Sequence, residues 1–182
     1  MDPRRNGSLR LDLPIDGAVV RSWRADDLPS IVQHANNREI ARQLRDRFPH
    51  PYEPAHALGF LQWAGQQPVE TVWAIAFHDT PVGGIGVQLG QDIERVSAEI
   101  GYWLGRDYWG RGLATAALRS VTDYAFEQFG LSRIFAVPFD ANRASIRVLE
   151  KAGYVLEGHL RRSAIKDGVI CDQRLYARYK ST

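Results

Sequence analysis

The sequence predicts a mixed α+β fold in which a mostly antiparallel sheet of about seven strands is flanked by helices. Three observations point there. The alternating runs Val72–Phe77, Val82–Leu89 and Val96–Leu104 follow one another across short breaks containing His78-Asp79-Thr80-Pro81 and Gly90-Gln91-Asp92, the pattern of a consecutive antiparallel meander. Leu113 to about Phe129 has helical spacing and ends at Gly130, a residue suited to a left-handed helix stop. The chain closes on two long alternating runs, Tyr154–Ile165 and Val169–Tyr179, and Lys166-Asp167-Gly168 between them is a strong hairpin signal.

Taken in order, Met1 to about Asp16 reads as a loose lead-in, with a candidate edge strand in the alternating piece Leu9 to Leu13. Ala18 to Trp23 is a strand. Asp26-Asp27 then opens a helix in which Leu28, Ile31, Val32 and Ala35 fall at helical spacing, and Asn36-Asn37 interrupts it. A second helical piece is expected from Arg38 to Arg45. The stretch Phe48-Pro49-His50-Pro51-Tyr52 must cross in extended form, because each proline pushes its predecessor out of the helical region. That loop is either a wall of a binding site or a plain connection. Glu53-Pro54 restarts a helix through about Trp63, with the proline in the first turn where it is tolerated.

In the meander, Gly83-Gly84-Ile85-Gly86 is bare for a strand, which predicts a close backbone approach or a bulge. On the long helix, Leu113, Ala117, Val121, Tyr124 and Gln128 are expected along one face. Ile134 to Phe139 is a short apolar strand, and Asp140-Ala141-Asn142 starts a helix that runs to Lys151 and stops at Ala152-Gly153. There are no internal repeats or low-complexity tracts.

Composition limits the function classes. A chain of 182 residues is most economically one domain. Its 45% hydrophobic and 24% charged residues match an ordinary globular protein. No apolar run approaches the ~20 residues of a membrane span, and the start Met-Asp-Pro-Arg-Arg-Asn-Gly-Ser has no signal-peptide core, so a cytoplasmic location is expected. Cys171 is the only cysteine, which excludes an intrachain disulfide framework and a cysteine-based metal site. It is expected to pack in a strand; His159 approaches it only if the two lie on paired strands.

The five histidines are scattered without metal-ligand spacing, so no metal is expected. A net charge of +2 makes no case for nucleic acid. From Asn142 onward, nine Lys or Arg stand against four Asp or Glu, which suits a polyanionic small ligand or an acidic partner as well as it suits a solvated surface.

Chemistry concentrates between Ser97 and Thr115. A strand feeding a glycine-broken turn feeding a helix is a phosphate-binding layout. Backbone N–H groups of the turn and the helix dipole meet the anion, and Gly110 and Gly112 allow close approach.

Three motifs then carry a family resemblance: Ala98-Glu99-Ile100-Gly101-Tyr102-Trp103-Leu104, Trp109-Gly110-Arg111-Gly112-Leu113-Ala114-Thr115, and Asn142-Arg143-Ala144-Ser145 through Gly153-Tyr154. With Asp172 and Tyr176 near the end, the chain from about Ala18 to Lys180 resembles the GNAT acyltransferases, and among them the RimJ/RimL-type N-acetyltransferases. The resemblance implies a central twisted sheet and acetyl-CoA as co-substrate. It also implies direct attack of a primary amine, through a tetrahedral intermediate, most naturally the α-amine of a protein or peptide N-terminus. Small-molecule amines and antibiotics are the alternative acceptors, and monomer and homodimer are both open.

By the same resemblance Gly110, Arg111, Gly112, Leu113 and Ala114 form the pyrophosphate cradle, with Trp103 and Leu104 at the pantetheine arm and Trp109 beside the cofactor at the start of the turn. Asn142 contacts CoA near the reacting end. Two departures matter. Trp109 stands where the family often has Gln or Arg, and Leu149 stands where many members carry an acidic tyrosine.

Acetyl transfer needs a neutral amine, a polarised carbonyl and a stabilised thiolate. Glu99 is the first candidate for a general base, directly or through water; it equally suits holding the acceptor amine or pairing with an arginine. Backbone N–H groups near Gly101 to Trp103 are placed to polarise the carbonyl. Asn142 is also an ordinary helix N-cap. Without a tyrosine at position 149, Ser145 is the candidate for supporting the thiolate, with a water as the alternative. Arg111 meets a phosphate or solvent, and Asp172 faces the acceptor or pairs with Arg161 or Arg162. Of the aromatic group Trp73, Trp103, Tyr108 and Trp109, mostly core, Trp103 and Trp109 belong near the cofactor.

Two rivals complete the reading. A dinucleotide-binding oxidoreductase would use Gly110 and Gly112 with Asp140 on the ribose, yet Thr115 replaces the third glycine and the strands form a meander. A non-catalytic CoA-binding sensor is the other, favoured by Leu149 and disfavoured by Glu99 and Ser145.

Overall fold

A computed structural model describes residues 8–181. The described elements are β1 (Arg10–Asp12), β2 (Ala18–Arg21), α1 (Leu28–Ala35), α2 (Arg38–Ala41), α3 (Pro54–Gln66), β3 (Val72–Phe77), β4 (Thr80–Leu89), β5 (Ser97–Leu104), α4 (Leu113–Phe129), β6 (Arg133–Ala136), α5 (Arg143–Lys151), β7 (Val155–Lys166) and β8 (Val169–Tyr179). The eight strands form one sheet in the order β1-β2-β3-β4-β5-β6-β8-β7. Every pairing is antiparallel except β5 with β6. The expected sheet of about seven strands gains its eighth from β1, the edge piece of the lead-in; residues 1–7 of that lead-in lie outside the described residues.

Strand alternation gives the sheet two apolar faces. On one, α4 and α5 press Leu113, Ala117, Leu118, Val121, Ile146 and Leu149 onto Trp73, Ile75, Ile85, Ile100 and Ile134. On the other, a smaller core joins Ile31 and Ala35 of α1, Ala57 of α3 and Tyr52, with Trp23, Phe48, Phe60 and Trp103 packed against it. The glycine run of β4 is a close approach, as expected. A Cβ on Gly83 would lie 2.5 Å from the Trp103 carbonyl oxygen, and one on Gly84 would lie 2.7 Å from the Trp103 indole nitrogen. The closing hairpin is also as expected: Lys166 pairs with Val169, and Asp167 and Gly168 both have positive φ, the signature of a two-residue primed turn.

Three expectations need correction. The helix predicted from Arg38 to Arg45 ends at Ala41. Asn37 caps its start, and the residues beyond tighten into turns that send Arg45 and Phe48 to distant partners. The strand predicted from Ile134 to Phe139 ends at Ala136, since Pro138 has no N–H to pair, and Phe139 rejoins the sheet only as a bridge to Gln173. On α4 the exposed Gln128 does not belong to the buried face; Ala125 and Phe126 hold that position.

Candidate functional site

β5 and β6 pair over three positions only, Ser97 with Arg133, Ala98 with Ile134 and Glu99 with Phe135. Beyond Glu99 the two strands part. β5 continues to Leu104 on its partner β4, while β6 stops at Ala136. The sheet therefore opens as a wedge with one side of β5 unpaired, which leaves backbone N–H and C=O groups free for an extended ligand. A cleft of about 1320 Å³ runs through this wedge from the α4 start to the aromatic loop before α3.

The glycine turn closes one end of the cleft. Gly110 and Gly112 both adopt left-handed backbone, φ 76° and 80°, and Gly112 is the N-cap of α4. A side chain at either position is strained there, so the turn depends on glycine. The first N–H groups of α4, which no carbonyl of the helix can reach, face outward with the positive end of the helix dipole. Trp109 ties the turn to the strand, its indole N–H donating to the Leu104 carbonyl oxygen at 2.7 Å. The Arg106 guanidinium lies 4.6 Å over its ring. The Arg111 guanidinium lies 5.3 Å over the Tyr108 ring, and Arg111 is absent from the cleft lining. Arg147 and Lys151, one helical turn apart on α5, line the cleft near the same end.

At the wedge, residues on the two faces of β5 meet the cleft from opposite sides. Asn142 caps α5 by accepting from the Ser145 backbone N–H at 3.1 Å, which is the N-cap geometry anticipated for it. Ser145 Oγ lies 2.8 Å from the Tyr102 hydroxyl, and the same hydroxyl is 3.3 Å from the Ser145 carbonyl oxygen. Burial pushes the Tyr102 phenol well above its usual range, against a smaller opposing effect from Ser145. Leu149 is wholly buried. Tyr154 is core, its hydroxyl 2.6 Å from that of Thr122 on α4.

Glu99 lies on the other face, three residues from Tyr102 along a strand of period two. Its Oε1 is paired with Arg45 from the segment after α2. Beside it, Gly101 is exposed, with nothing within 4 Å of where a Cβ would stand. Trp103, on the same face, has its ring 5.7 Å from that of Phe48, which is 5.1 Å from Tyr52. Trp103 thus sits in the aromatic wall on this face, and the loop from Phe48 to Tyr52 is a wall of the cleft rather than plain connection. Among the described residues, the charged side chains lining the cleft are Glu99 and four cations, Arg45, Arg47, Arg147 and Lys151.

Apart from Arg111 and the alternative candidate Asp172, the site residues expected from the sequence line this one cleft: Glu99, Trp103, Leu104, Trp109, Gly110, Gly112, Leu113, Ala114, Asn142 and Ser145. Asp172 accepts from His159 Nε2 at 2.9 Å and from the Arg162 backbone N–H at 2.8 Å, so its partner is neither arginine side chain. Those bonds, the backbone one first, hold its carboxyl below the usual range. Cys171 pairs with Ala164, away from His159, which pairs with Arg174. Asp140 is engaged by Arg174, and its N–H donates to the Asp172 carbonyl.

Sequence reasoning missed Tyr102, Arg45, Arg147 and Lys151 as cleft residues. The i, i+4 spacing of Arg147 and Lys151 on a helix was a usable signal, whereas no local pattern announces the Arg45–Glu99 contact.

The fold of this chain is shared with solved acetyltransferases. It matches RimL, a ribosomal L7/L12 alpha-N-protein acetyltransferase solved in complex with coenzyme A, with a TM-score of 0.82 at 19% identity over 94% of this chain and 98% of that one. The family model described as an acetyltransferase (GNAT) domain matches residues 18–155, and the chain belongs to the GNAT acetyltransferase family. That membership and the mostly antiparallel sheet overturn the dinucleotide-binding reading.

Curated relatives include the uncharacterized N-acetyltransferase YoaA of Bacillus subtilis, 40% identical over 108 residues, or 58% of this chain and 60% of the relative. The ribosomal-protein-serine acetyltransferase of Escherichia coli is 34% identical over 83 residues, 45% of this chain and 46% of the relative. The chain thus spans about half the length of such curated relatives. No helix among the described residues is long and apolar enough to cross a membrane.

Proposed function

We propose that this protein moves the acetyl group of acetyl-CoA to a primary amine, and that the amine is the N-terminal α-amine of a peptide or protein. The observation that carries the reading is the wedge between β5 and β6, entered from one face by Glu99 and from the other by Ser145. The N–H groups of the turn and of the first residues of α4, with Arg147 and Lys151 near them, fit the diphosphate and ribose phosphate of CoA. The unpaired side of β5 fits the amide-bearing pantetheine arm.

In this reading Glu99 takes the proton of the attacking amine, its Oε1 held by Arg45. A peptide α-amine, with a reference pKa near ~8, asks less of such a base than a lysine near ~10.4. Backbone N–H groups between Gly101 and Trp103 polarise the thioester carbonyl. The C–N bond forms, the C–S bond breaks, and the Ser145 hydroxyl donates a hydrogen bond to the departing sulfur, which then takes its proton from solvent. Glu99 and Ser145 need not touch, since each serves a different atom from its own side of the sheet.

Electrostatics favours a peptide over a polycationic amine. With Arg147 and Lys151 given to the CoA phosphates and Glu99 balanced by Arg45, Arg47 is the cation left over among the described lining residues, and it disfavours a second positive charge on the acceptor. The names of the ribosomal-protein acetyltransferases among the relatives point the same way.

Thiol release from acetyl-CoA across a panel of acceptors tests the reading. Peptides with a free N-terminus and neutral or acidic following residues are expected to turn over, and spermidine and aminoglycosides to be poor. Turnover confined to the polyamines would replace the peptide acceptor. Binding of acetyl-CoA without release on any acceptor would replace the enzyme with a sensor.

A further inference from the structure

We propose that Tyr102 is a positioning residue for departure of the thiolate: its phenol donates to Ser145 Oγ and so leaves the serine's own hydrogen free for the sulfur. The proposal rests on the reading of Ser145 above. Ser145 stands in the first turn of α5 with its backbone N–H held by Asn142 Oδ1 at 3.1 Å, which fixes where the side chain starts. Among the described residues its Oγ then has one partner, the Tyr102 hydroxyl at 2.8 Å.

Two hydrogen arrangements satisfy this pair. In one, the serine donates to the phenol and the phenol to the Ser145 carbonyl oxygen 3.3 Å away. In the other, the phenol donates to Oγ and the serine hydrogen turns into the cleft. Negative charge growing on sulfur selects the second, because a hydroxyl that accepts one hydrogen bond donates a stronger one.

The neighbours leave this task to Tyr102. The Tyr154 hydroxyl is engaged by Thr122, that of Tyr176 donates to Glu150 at 2.9 Å, and Leu149 has nothing to donate. Burial keeps the Tyr102 phenol protonated throughout the working pH range, so it is a permanent donor and not a proton source. Proton accounting follows from that. The C–S bond breaks with its electron pair on sulfur, the amine proton goes to Glu99, and the thiolate takes a proton from water. Both hydroxyls end as they began.

The test uses Tyr102→Phe, Ser145→Ala and the double variant, with acetyl-CoA affinity by calorimetry and kcat by thiol release. Tyr102→Phe is expected to lower kcat about tenfold with acetyl-CoA affinity unchanged, the scale of one lost hydrogen bond. Ser145→Ala is expected to lower kcat about 100-fold, and the double variant to match it, because Tyr102 acts through the serine. With an acetyl thioester of a strongly acidic aryl thiol, which leaves without help, the Tyr102→Phe deficit should shrink to about twofold or less.

Wild-type kcat in Tyr102→Phe, additive losses in the double variant, or an undiminished deficit with the acidic donor each overturn the proposal. The comparison of donors is made within one variant, so a general loss of folded protein cannot imitate it. Full kcat in Ser145→Ala instead removes the serine reading itself, an outcome distinct from a failure of Tyr102 alone.

Discussion

On the side of β5 that carries Ile100 and Tyr102, two regular helices, α4 and α5, pack directly on the sheet and present their first turns to the cleft. The side that carries Glu99 and Trp103 is covered instead by α1, α3 and the irregular stretch from Arg42 to Glu53, with Arg45, Phe48 and Tyr52 reaching the cleft from loops. The difference shows two ways of making a binding surface. The first relies on backbone: a left-handed glycine turn, helix N–H groups and an unpaired strand side, none of which depends on side-chain identity beyond the glycines. The second relies on side chains brought from distant parts of the chain. A donor common to a whole family suits the first kind of surface, and an acceptor that differs between members suits the second.

The comparison breaks most easily at the glycine turn. Gly112→Val forces a β-branched residue to φ 80° at the N-cap of α4. Acetyl-CoA affinity is expected to fall about 100-fold, or about 2.7 kcal/mol, because relieving ~1–3 kcal/mol of backbone strain moves the N–H groups off the ligand. Arg111→Ala, between the two glycines, is expected to cost about twofold, since its guanidinium rests on Tyr108 outside the cleft. Calorimetric titration of both variants checks the pair, and an Arg111→Ala loss equal to that of Gly112→Val would refute the backbone account.

A smaller effect is expected on the other face. Glu99→Gln keeps the shape and removes the proposed base, so kcat/KM for a peptide acceptor should fall about tenfold near pH 7 with acetyl-CoA affinity unchanged. The deficit should narrow as the pH approaches about 9, where an α-amine with a pKa near ~8 loses its proton unaided. Steady-state kinetics across that range are the measurement, and full activity of the variant at neutral pH would reduce Glu99 to a partner of Arg45. Smaller again than the loss at Glu99, Phe48→Ala opens the wall against Trp103 and Tyr52 and should raise the acceptor KM about threefold without touching acetyl-CoA binding.

Legibility followed the same division. The meander, the long helix with its Gly130 stop, the closing hairpin and the turn of Gly110 and Gly112 were readable because each is specified within a few residues, by strand alternation, helical period or a demand for positive φ. Expectations failed where a residue's place is set by a distant partner. Arg38 to Arg45 has helical character, yet Arg45 pairs with Glu99 and Phe48 packs on Trp103, and the helix ends at Ala41. Cross-strand pairing gives Asp172 a choice between the acceptor and the Arg161 or Arg162 side chains, and the folded hairpin instead brings it His159 and the backbone N–H of Arg162.

By itself, then, the sequence determined the order of elements, the glycine turn before α4 and the family, since these rest on local conformational preferences and short motifs. Tertiary structure alone decided that β5 and β6 part after Glu99, which is a matter of sheet register. It also decided that Glu99 and Ser145 meet one cleft from opposite faces, and that Ser145 meets the Tyr102 hydroxyl from a different element. Such pairings follow from packing across the sheet, and a linear chain carries no local signal for which of its distant residues will touch.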